Sequence, residues 1–567
     1  MSQNQQPAPP WLKDYPDAID WRFETPHRPL AELLDDAVAK FPHRPCLDFL
    51  GKHMTYGEVG EQVARIAKGF QDLGIGKGDR VGLFLPNTPY FIIAYYAALK
   101  VGATVVNYNP LYAEKELIHQ IEDSGTETMV TLDVHQLYDK LAPLLGTTRL
   151  KRLVIGRMVD ILPFTKKLLF PLFRHKDVAH FHEDAQHICW NRLLHSDPHP
   201  APVAIDPDHD VAVLQYTGGT TGLPKGAMLT HTNLWANATQ CGLWFAGARE
   251  GEDRMLGVLP LFHVFAMTVV MNLGIRIGAE LLLIPRFEIS TLLKTIHDRR
   301  PTLFPAVPTV YSALITSRDR SRYDMSSIRY CISGGAPLPL EVKQGFERAT
   351  GCNLVEGYGL TESSPVAVCN PLGGLNKPGS IGLPLPGTTV EIVNMDDRET
   401  LMPFGERGEL CLRGPQVMAG YWNKADETAD VLRNGRLHTG DIAYMDADGF
   451  TFIVDRIKDM ILCGGFNVYP RNIEDAIYQH PAVDECVVAG IPDGYRGQTV
   501  KAFIKLKEGT TLDQPTLNAF LKDKLSSIEL PKRVEFRESL PRTMVGKLSR
   551  KQLLDEELAR RNGQDTA

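Results

Sequence analysis

Short apolar runs alternate with amphipathic helical patterns through the first two thirds of the chain. The strand-like run RVGLFLP at 80–86, for example, is followed by the helical pattern PYFIIAYYAALKVG at 89–102. Strands that are separated by helices predict parallel sheets of the doubly wound kind, with helices covering the sheet faces. The alternation recurs at 210–219, 279–287 and 329–335. We therefore expect an α/β fold with two such layered subdomains.

The last third of the chain has a different pattern. Between Gly379 and Val454, short strand-like runs are broken by Gly, Pro, Asp and Asn, which favours a small β-barrel-like subdomain or antiparallel sheet. After Asp455, short strands and helices resume and indicate a compact α+β module. The domains that we predict are a flexible N-terminal lead at 1–25, a large N-terminal domain at 26–456 whose β-rich subdomain spans 379–454, and a small mobile C-terminal domain at 457–567.

The composition excludes several classes of protein. With 567 residues, a formal charge of −7 and 43% hydrophobic residues, the chain is too large for a small disulfide scaffold. It also lacks the basic excess with which a nucleic-acid binder neutralises phosphates, so we expect no nucleic-acid partner. The nine cysteines are scattered without a C-x-x-C pair, which is typical of reduced thiols in a cytoplasmic protein.

One segment has the composition of an element that lies on a membrane surface. No apolar run reaches the ~18–20 residues that are needed to cross a bilayer. The segment VDILPFTKKLLFPLFRHK at 159–176 nevertheless mixes Ile, Leu and Phe with Lys, Arg and His. This mixture suits peripheral contact with the inner face of the cytoplasmic membrane. The alternative is an apolar loop or helix that packs on the body of the protein.

A glycine- and threonine-rich loop, YTGGTTGLPK at 216–225, follows a strand-like run and precedes a helix-compatible stretch that begins near His231. Glycines let the backbone approach an anion closely, hydroxyls add donors and a lysine adds positive charge, so the loop suits a polyphosphate. Its candidate nucleotide-binding residues are Thr217, Gly218, Gly219, Thr220, Thr221, Gly222 and Lys225. It is not the P-loop of ordinary ATPases, because Pro224 precedes the lysine and Gly226 follows it. The alternative is a flexible surface loop.

This loop and five further blocks resemble the adenylate-forming superfamily, which includes acyl-CoA synthetases, luciferases and the adenylation domains of peptide synthetases. The blocks are SGGAP at 333–337, EGYGLTESSP at 356–365, HTGD at 438–441, VDRIKDMI at 454–461 and PRTMVGKLSR at 541–550. The resemblance covers about residues 30 to 555. It is strongest to the bacterial long-chain fatty acid–CoA ligases, on VVNYNPLY at 105–112, PLFHVFAM at 260–267 and RGPQVMAGYWN at 413–423.

The resemblance implies a two-step reaction of fatty acid metabolism, which would serve degradation by β-oxidation, uptake or lipid synthesis. ATP and a fatty acid give an acyl-adenylate and pyrophosphate, and the thiol of coenzyme A (CoA) then displaces AMP. In the first step Glu362, with the hydroxyl of Thr217 nearby, is implied as the protein ligand of Mg2+. Lys547 is implied to bridge the carboxylate and the α-phosphate, where a lysine suits the negative charge of the transition state.

The resemblance also implies how the nucleotide and CoA are held. Asp441 accepts hydrogen bonds from the ribose hydroxyls, and Arg456 assists at the ribose or phosphate. The module after Asp455 rotates about a hinge at Lys458 between the two half-reactions. The residues implied around the adenine are Gly334, Gly335, Ala336, Glu356, Gly357, Tyr358, Gly359 and Thr361, and those on the second, CoA-facing surface are Gly464, Gly465 and Phe466.

Apolar residues around His263 are numerous enough to line an acyl tunnel, in which each buried methylene contributes about 0.8 kcal/mol. By resemblance His263 lies near the reacting carboxylate, and the alternative is a core histidine. Met267 stands where some long-chain relatives carry a gating tryptophan, and Gln498 stands where many carry glutamate. Because residue 267 is a methionine, we expect no tryptophan gate at that position.

Several alternatives stay open at this point. The chain could be a ligase that stops at acyl-AMP or passes the acyl group to a carrier protein, or one that acts on medium-chain or aryl acids. A different class is a non-catalytic, nucleotide-gated fatty-acid binding protein, which would keep the loop but could lose Glu362 or Lys547. Both residues are present. The sequence leaves the acyl-chain optimum and a possible homodimer undecided.

Overall fold

The computed structural model describes residues 9–217, 224–245, 247–463, 466–493, 496–542 and 548–564. The chain divides into two compact units. The first comprises Met1–Thr389 and Leu412–Leu437, and the second comprises Val390–Cys411 and His438–Ala567. The domain boundary that we expect at residue 456 remains a prediction.

The elements are numbered in chain order. The strands are β1 (Pro45–Phe49), β2 (Lys52–Thr55), β3 (Arg80–Leu83), β4 (Thr104–Asn107), β5 (Thr128–Leu132), β6 (Arg152–Gly156), β7 (His187–Cys189), β8 (Val211–Tyr216), β9 (Gly226–Thr230), β10 (Arg254–Gly257), β11 (Glu280–Leu283), β12 (Leu303–Ala306), β13 (Tyr330–Ser333), β14 (Asn353–Gly359), β15 (Val366–Cys369), β16 (Leu383–Pro384), β17 (Thr389–Val393), β18 (Gly408–Arg413), β19 (Gly420–Tyr421), β20 (Leu432–Arg433), β21 (Arg436–Met445), β22 (Thr451–Arg456), β23 (Ile461–Cys463), β24 (Phe466–Val468), β25 (Val483–Asp493), β26 (Gly497–Leu506) and β27 (Arg533–Phe536).

The α-helices are α1 (Glu32–Lys40), α2 (Tyr56–Asp72), α3 (Pro89–Lys100), α4 (Glu114–Ser124), α5 (His135–Leu141), α6 (Phe164–Arg174), α7 (Trp190–Leu194), α8 (His231–Trp244), α9 (Val264–Ala266), α10 (Leu273–Arg276), α11 (Ile289–Arg299), α12 (Pro308–Thr316), α13 (Leu340–Thr350), α14 (Ala425–Val431), α15 (Pro470–Tyr478), α16 (Gln514–Leu521) and α17 (Arg550–Gln564). A π-helix, Met267–Asn272, joins α9 to α10. None of the helices in the described part of the chain is long and apolar enough to span a bilayer.

Two large sheets lie in the first unit, as the alternating pattern predicts. One has the order β16-β15-β14-β13-β12-β10-β11-β1-β2 and the other β19-β9-β8-β4-β3-β5-β6-β7. Their central neighbours, such as β12–β13 and β3–β4, run parallel, whereas β14–β15 and β8–β9 are antiparallel pairs toward one end of each sheet. The prediction of two layered α/β subdomains is therefore confirmed.

Local sequence explains the two helices that follow the first strands. Helix α2 begins where the hydroxyl of Thr55 accepts the amide of Glu58 and the carboxylate of Glu58 accepts the amide of Thr55, which satisfies two donors that the first helical turn leaves unpaired. Helix α3 is apolar on all sides and all but its last residue, Lys100, is buried. A helix of this kind belongs between layers of a core rather than on a surface.

Two smaller sheets lie in the last third of the chain. Strands β17, β18, β21 and β20 form one, with β22 paired to β21, and the predicted β-rich region is largely this sheet. The other has the order β24-β23-β26-β25, with β27 paired to β26. Helices α15 and α16 pack on it through buried Ile473, Ile477 and Leu517, which meet Val488 and Ile504 of the sheet. This arrangement is the small α+β module that we expect after Asp455.

The N-terminal lead differs from its prediction. Residues Pro10–Asp14 form a 3-10 helix in which Trp11 is buried, and the hydroxyl of Tyr15 donates to the carbonyl of Pro384 at 3.0 Å. The Tyr15 ring also packs edge-on against Trp244, with 5.3 Å between ring centroids. A proline- and glutamine-rich start predicts a flexible segment, but burial of its aromatic side chains holds residues 10–15 against the first unit.

Candidate active site

The predicted phosphate loop joins two antiparallel strands. Tyr216, at the end of β8, pairs with Gly226, at the start of β9, and the Thr217 amide donates to the Lys225 carbonyl at 2.9 Å. Thr217 and Lys225 therefore stand together at the loop end of a β-hairpin. The loop residues Gly218, Gly219, Thr220, Thr221 and Gly222 lie outside the described part of the chain.

Helix α8 begins at His231, as predicted, but β9 stands between the loop and that helix. The Thr230 hydroxyl accepts the Asn233 amide at 3.2 Å and so caps the helix. The sequence GAMLT of β9 is too short to show the alternation that predicts a strand. Its extended conformation is fixed by hydrogen-bonded pairing with β8. The consequence is that Lys225 is held at a strand start rather than at a helix N-terminus.

Tyr421 links the loop to the predicted metal ligand. Strand β19 adds to the edge of β9 with Tyr421 opposite Ala227, which places the Lys225 ammonium 5.1 Å from the centre of the Tyr421 ring. The Tyr421 hydroxyl donates to Oε1 of Glu362 at 2.6 Å. Burial raises the pKa of Tyr421, and the charge of Glu362 raises it further. The phenol therefore remains a donor at neutral pH.

Glu362 is held from the backbone as well. It lies in the short 3-10 helix Thr361–Ser363, and its carbonyl accepts the Met418 amide at 2.8 Å. Its carboxylate is half-buried, and among the described residues only Tyr421 hydrogen-bonds it. One oxygen is thus fixed in direction while the other is open to a cation.

The ends of β13 and β14 form the predicted adenine region. Ser333 pairs with Glu356 across the two strands, and the carboxylate of Glu356 accepts the Leu338 amide at 3.2 Å, just beyond Gly334, Gly335 and Ala336. A side chain at Gly334 would meet the Phe265 ring at 3.1 Å. The absence of a side chain at Gly334 therefore lets Phe265 of α9 approach this edge of the sheet.

Gly359 ends β14 at a contact that no other residue fits. A Cβ atom there would lie 1.9 Å from the Pro365 carbonyl oxygen. The same turn carries Thr361 and Glu362, and the Leu360 amide donates to the Pro365 carbonyl at 3.2 Å. The GYGLTE block thus folds back on itself, with half-buried Tyr358 before the turn and the Glu362 carboxylate within it.

The π-helix connects this turn to the predicted acyl region. The Thr268 hydroxyl donates to the Ser364 carbonyl at 2.6 Å, two residues after Glu362. Met267 is fully buried, and the side-chain amide of Asn107 donates through Nδ2 to its sulfur at 3.2 Å. A π-helical turn widens a helix locally and is frequent at functional sites. Phe265, just before this helix, lies beside Gly334 after β13, while Met267 contacts Asn107 at the end of β4.

His263 occupies the position before α9. Its Nδ1 accepts the Phe265 amide at 3.3 Å, and its own carbonyl accepts the Met267 amide at 3.0 Å. The ring is half-buried, and in the structure it caps the N-terminus of the helical segment. Contact with a reacting carboxylate remains a prediction.

The remaining candidates belong to the second unit. Asp441 in β21 pairs with Arg456 in β22, and 3.2 Å separates Oδ1 of the aspartate from Nε of the arginine. Lys458 follows in the 3-10 helix Ile457–Asp459. Phe466 is 63% exposed at the start of β24. Gly464, Gly465 and Lys547 lie outside the described part of the chain.

Two residues gain a role from the structure that the sequence does not reveal. Tyr421 lies in the GYWN block, and only its pairing with β9 brings it to Glu362. Gln498 accepts the Leu462 amide through Oε1 at 2.8 Å. A glutamate could accept the same amide, so the Gln498 departure conserves this contact.

Comparison with known proteins shows the family of the chain. Residues 34–422 match the family model described as AMP-binding enzyme, and residues 472–547 match AMP-binding enzyme C-terminal domain. The chain is 45% identical to a long-chain-fatty-acid–CoA ligase of Bacillus subtilis (strain 168), over 97% of this chain and 99% of the relative. It is 39% identical to the ligase of the same name from Escherichia coli O157:H7, over 96% and 98%.

Solved structures are similar along nearly the whole chain. ATP-bound MatB from Rhodopseudomonas palustris superposes with a TM-score of 0.81 and 26% identity, covering 93% of this chain and 98% of that one. The anthranilate CoA ligase AuaEII, in complex with anthranoyl-AMP, gives a TM-score of 0.83 and 25% identity over 95% and 99%. The chain therefore belongs to the AMP-binding enzyme family.

Proposed function

We propose that this protein is an ATP-dependent, AMP-forming long-chain fatty acid–CoA ligase. The observation that carries the proposal is the connection of the phosphate loop to a carboxylate through Lys225, Tyr421 and Glu362. Identity of 45% and 39% over almost the full length to ligases of that name supports the long-chain substrate class. No described feature favours the non-catalytic alternative.

The two half-reactions follow from this assignment. A fatty acid carboxylate oxygen bonds to the α-phosphorus of ATP while the α–β phosphoanhydride bond breaks, and its electron pair leaves with pyrophosphate. The thiol of CoA then bonds to the acyl carbon, the bond to AMP breaks, and the thiol proton passes to solvent. Negative charge moves in both steps, so fixed cationic and donor groups near the phosphates lower the barrier.

The donor set of this site fits Mg2+. Glu362 has one carboxylate oxygen that its described neighbours leave open, and Thr217 offers a hydroxyl at the end of the hairpin. Mg2+ favours oxygen ligands and is often held by one or two carboxylates together with substrate phosphates. When bound, it would neutralise phosphate charge. Tyr421 then has the task of orienting Glu362.

Lys547, Asp441 and Arg456 complete the proposed machinery. Lys547 neutralises the α-phosphate in adenylation, while Asp441, oriented by Arg456 at 3.2 Å, accepts the ribose hydroxyls. Lys458 is the proposed hinge, because it stands in a short 3-10 helix between β22 and the module that carries Lys547. Rotation there would exchange Lys547 for the surface at Gly464, Gly465 and exposed Phe466 in the thioester step.

The helical segment from Val264 to Arg276 is the proposed wall of the acyl tunnel. Its apolar side chains are buried, and Phe265 lies against Gly334 at the edge of the adenine region. A fatty acid whose carboxylate reaches the α-phosphate would have its chain beside this segment. His263 at the start of the segment is then the side chain nearest the carboxylate.

A coupled assay tests the proposal. Purified protein with ATP, Mg2+ and palmitate should release pyrophosphate, and addition of CoA should form a thioester. Pyrophosphate without thioester would favour an acyl-AMP ligase. A panel of medium-chain and aryl acids should give lower kcat/KM than palmitate, and a reversed ranking would contradict the long-chain assignment.

We also propose that the protein contacts the inner face of the cytoplasmic membrane through residues 159–176. Helix α6 exposes Phe164, Leu168 and Leu169, which are 75%, 60% and 51% accessible. Lys166 and Lys167 stand between them in sequence and are exposed. Apolar side chains flanked by lysines match an interface of anionic headgroups over acyl chains.

Vesicle flotation tests this contact. The protein should float with vesicles that contain anionic lipid, and a variant with Leu168→Ser and Leu169→Ser should float less. A matched control carries Leu401→Ser and Phe404→Ser, which remove similarly exposed apolar side chains elsewhere. Equal loss in both variants, or equal flotation with neutral vesicles, would contradict the proposal.

A further inference from the structure

Arg550 bridges two separate parts of the second unit. It is the first residue of α17, and Lys547 stands three positions before it in the sequence. Its Nη1 lies 2.7 Å from Oδ2 of Asp459, and its Nη2 lies 2.8 Å from Oε1 of Glu474. All three side chains are mostly buried. The planar, forked guanidinium presents its donors in fixed directions, so it can hold two carboxylates in a set geometry, whereas the donors of a lysine rotate.

The two carboxylates have different attachments. Glu474 lies in α15, and its Oε1 also accepts the Val488 amide of β25 at 2.7 Å, so it is fixed to the core of the module. Asp459 ends the 3-10 helix that contains Lys458. Arg550 therefore fastens the residue immediately after the proposed hinge to the start of the tail helix.

The side of the hinge before Lys458 has its own attachment. Oδ2 of Asp455 accepts the Arg471 amide at the start of α15 at 2.8 Å. This bond joins residues on opposite sides of Lys458 and must change if the backbone rotates there. The bond from Arg550 to Asp459 joins residues that both follow Lys458, so the same rotation leaves it intact.

Docking of α17 does not depend on Arg550 alone. Arg537 pairs with Glu556 of the helix at 2.6 Å, Lys501 pairs with Glu557 at 2.8 Å, and Leu553 is fully buried. These contacts lie further along the helix and do not include Asp459. The contact between Arg550 and Asp459 is therefore separable from attachment of the helix.

We propose that Arg550 is a positioning residue for adenylation: it makes the segment after Lys458 and the start of the tail helix rotate as one body. This inference rests on the proposed function, in which Lys547 has to arrive at the α-phosphate when the module turns. Without Arg550, the first turn of the tail helix loses its links to Asp459 and Glu474, while the contacts further along the helix remain. The group acts through position and touches no substrate.

Kinetics of the separate half-reactions test the inference. Arg550→Gln and Asp459→Asn should each lower kcat for ATP–pyrophosphate exchange about tenfold, with KM for ATP nearly unchanged. The double variant should be no less active than the more impaired of the two single variants, because both changes remove the same contact. Arg537→Gln, the matched control, removes an ion pair of the same helix and should change kcat less than about twofold. Multiplying effects in the double variant, or an equal loss in Arg537→Gln, would overturn the inference.

A second readout does not need activity. Amide hydrogen exchange of peptides that cover 457–463 should accelerate in Arg550→Gln and stay unchanged in Arg537→Gln. If both variants exchange alike, the positioning role is wrong even where the enzyme is active. If the wild-type protein makes no acyl-adenylate from any acid, the proposed function fails, and the exchange result still decides whether Arg550 fixes this segment.

Discussion

The hydroxyl of Tyr421 donates a 2.6 Å hydrogen bond to Oε1 of Glu362. The two residues are 59 positions apart in the sequence, and strand β19 brings them together by adding Tyr421 to the edge of β9. The bond fixes one carboxylate oxygen and points the other away from the phenol. A residue outside the predicted set thus becomes a candidate for organising the cation site.

Replacing Tyr421 by phenylalanine tests this role. Tyr421→Phe should lower adenylation about tenfold and raise the Mg2+ concentration needed for half-maximal rate, because loss of a partner that orients a metal ligand typically costs about 10–100-fold in metal affinity or activity. Pyrophosphate release measured over a Mg2+ series checks this. Tyr90→Phe removes a buried phenol that donates to the Arg157 carbonyl elsewhere, and it should leave the Mg2+ requirement unchanged. A shift common to both variants would contradict the assignment.

Gly359 provides a steric prediction. A methyl group there would overlap the Pro365 carbonyl oxygen at 1.9 Å, so Gly359→Ala should displace the turn that carries Glu362. We expect the free energy of unfolding to fall by on the order of 1–3 kcal/mol, which lowers the thermal midpoint. Pyrophosphate release should be lost as well. A methyl group at Gly373 would have no neighbour within 4 Å, and Gly373→Ala should be neutral in both measurements. Equal behaviour of the two variants would argue against a constrained turn.

His231 predicts a pH dependence of stability. Burial lowers its pKa to about 4, and its Nδ1 accepts the Leu30 amide at 3.0 Å. Between about pH 4 and 6.5 the unfolded chain binds a proton at this residue and the folded chain does not, so stability falls as the pH falls. The contribution is about 3 kcal/mol across that window. Denaturant unfolding of wild type and His231→Gln at pH 5 and pH 7.5 should show a smaller loss in the variant, and equal losses would exclude His231 as the cause.

Much of the fold follows from local pattern. The strands β3, β8, β11 and β13 and the helix α3 lie where the alternation of apolar runs and helical patterns predicts them, since their own sequences define which side chains are buried. The chemistry-bearing blocks also stand at strand ends, where Ser333 and Glu356 pair on neighbouring strands. In such cases residues close in sequence fix the local geometry.

Long-range pairing accounts for what local pattern does not contain. Strand β9 is five residues long and owes its form to β8, and Tyr421 reaches Glu362 only through that strand. The N-terminal segment has a polar, proline-rich start, yet Trp11 is buried, and Tyr15 contacts the distant residues Pro384 and Trp244. No periodicity over a short window includes these partners.

The central claim is that Lys547 acts in adenylation and leaves before thioester formation. Lys547→Ala should abolish most ATP–pyrophosphate exchange with palmitate, by roughly 10²-fold or more, because a charge that acts in the transition state is lost. The same variant, supplied with palmitoyl-AMP and CoA, should form thioester at close to the wild-type rate. Equal loss in both half-reactions would contradict the account.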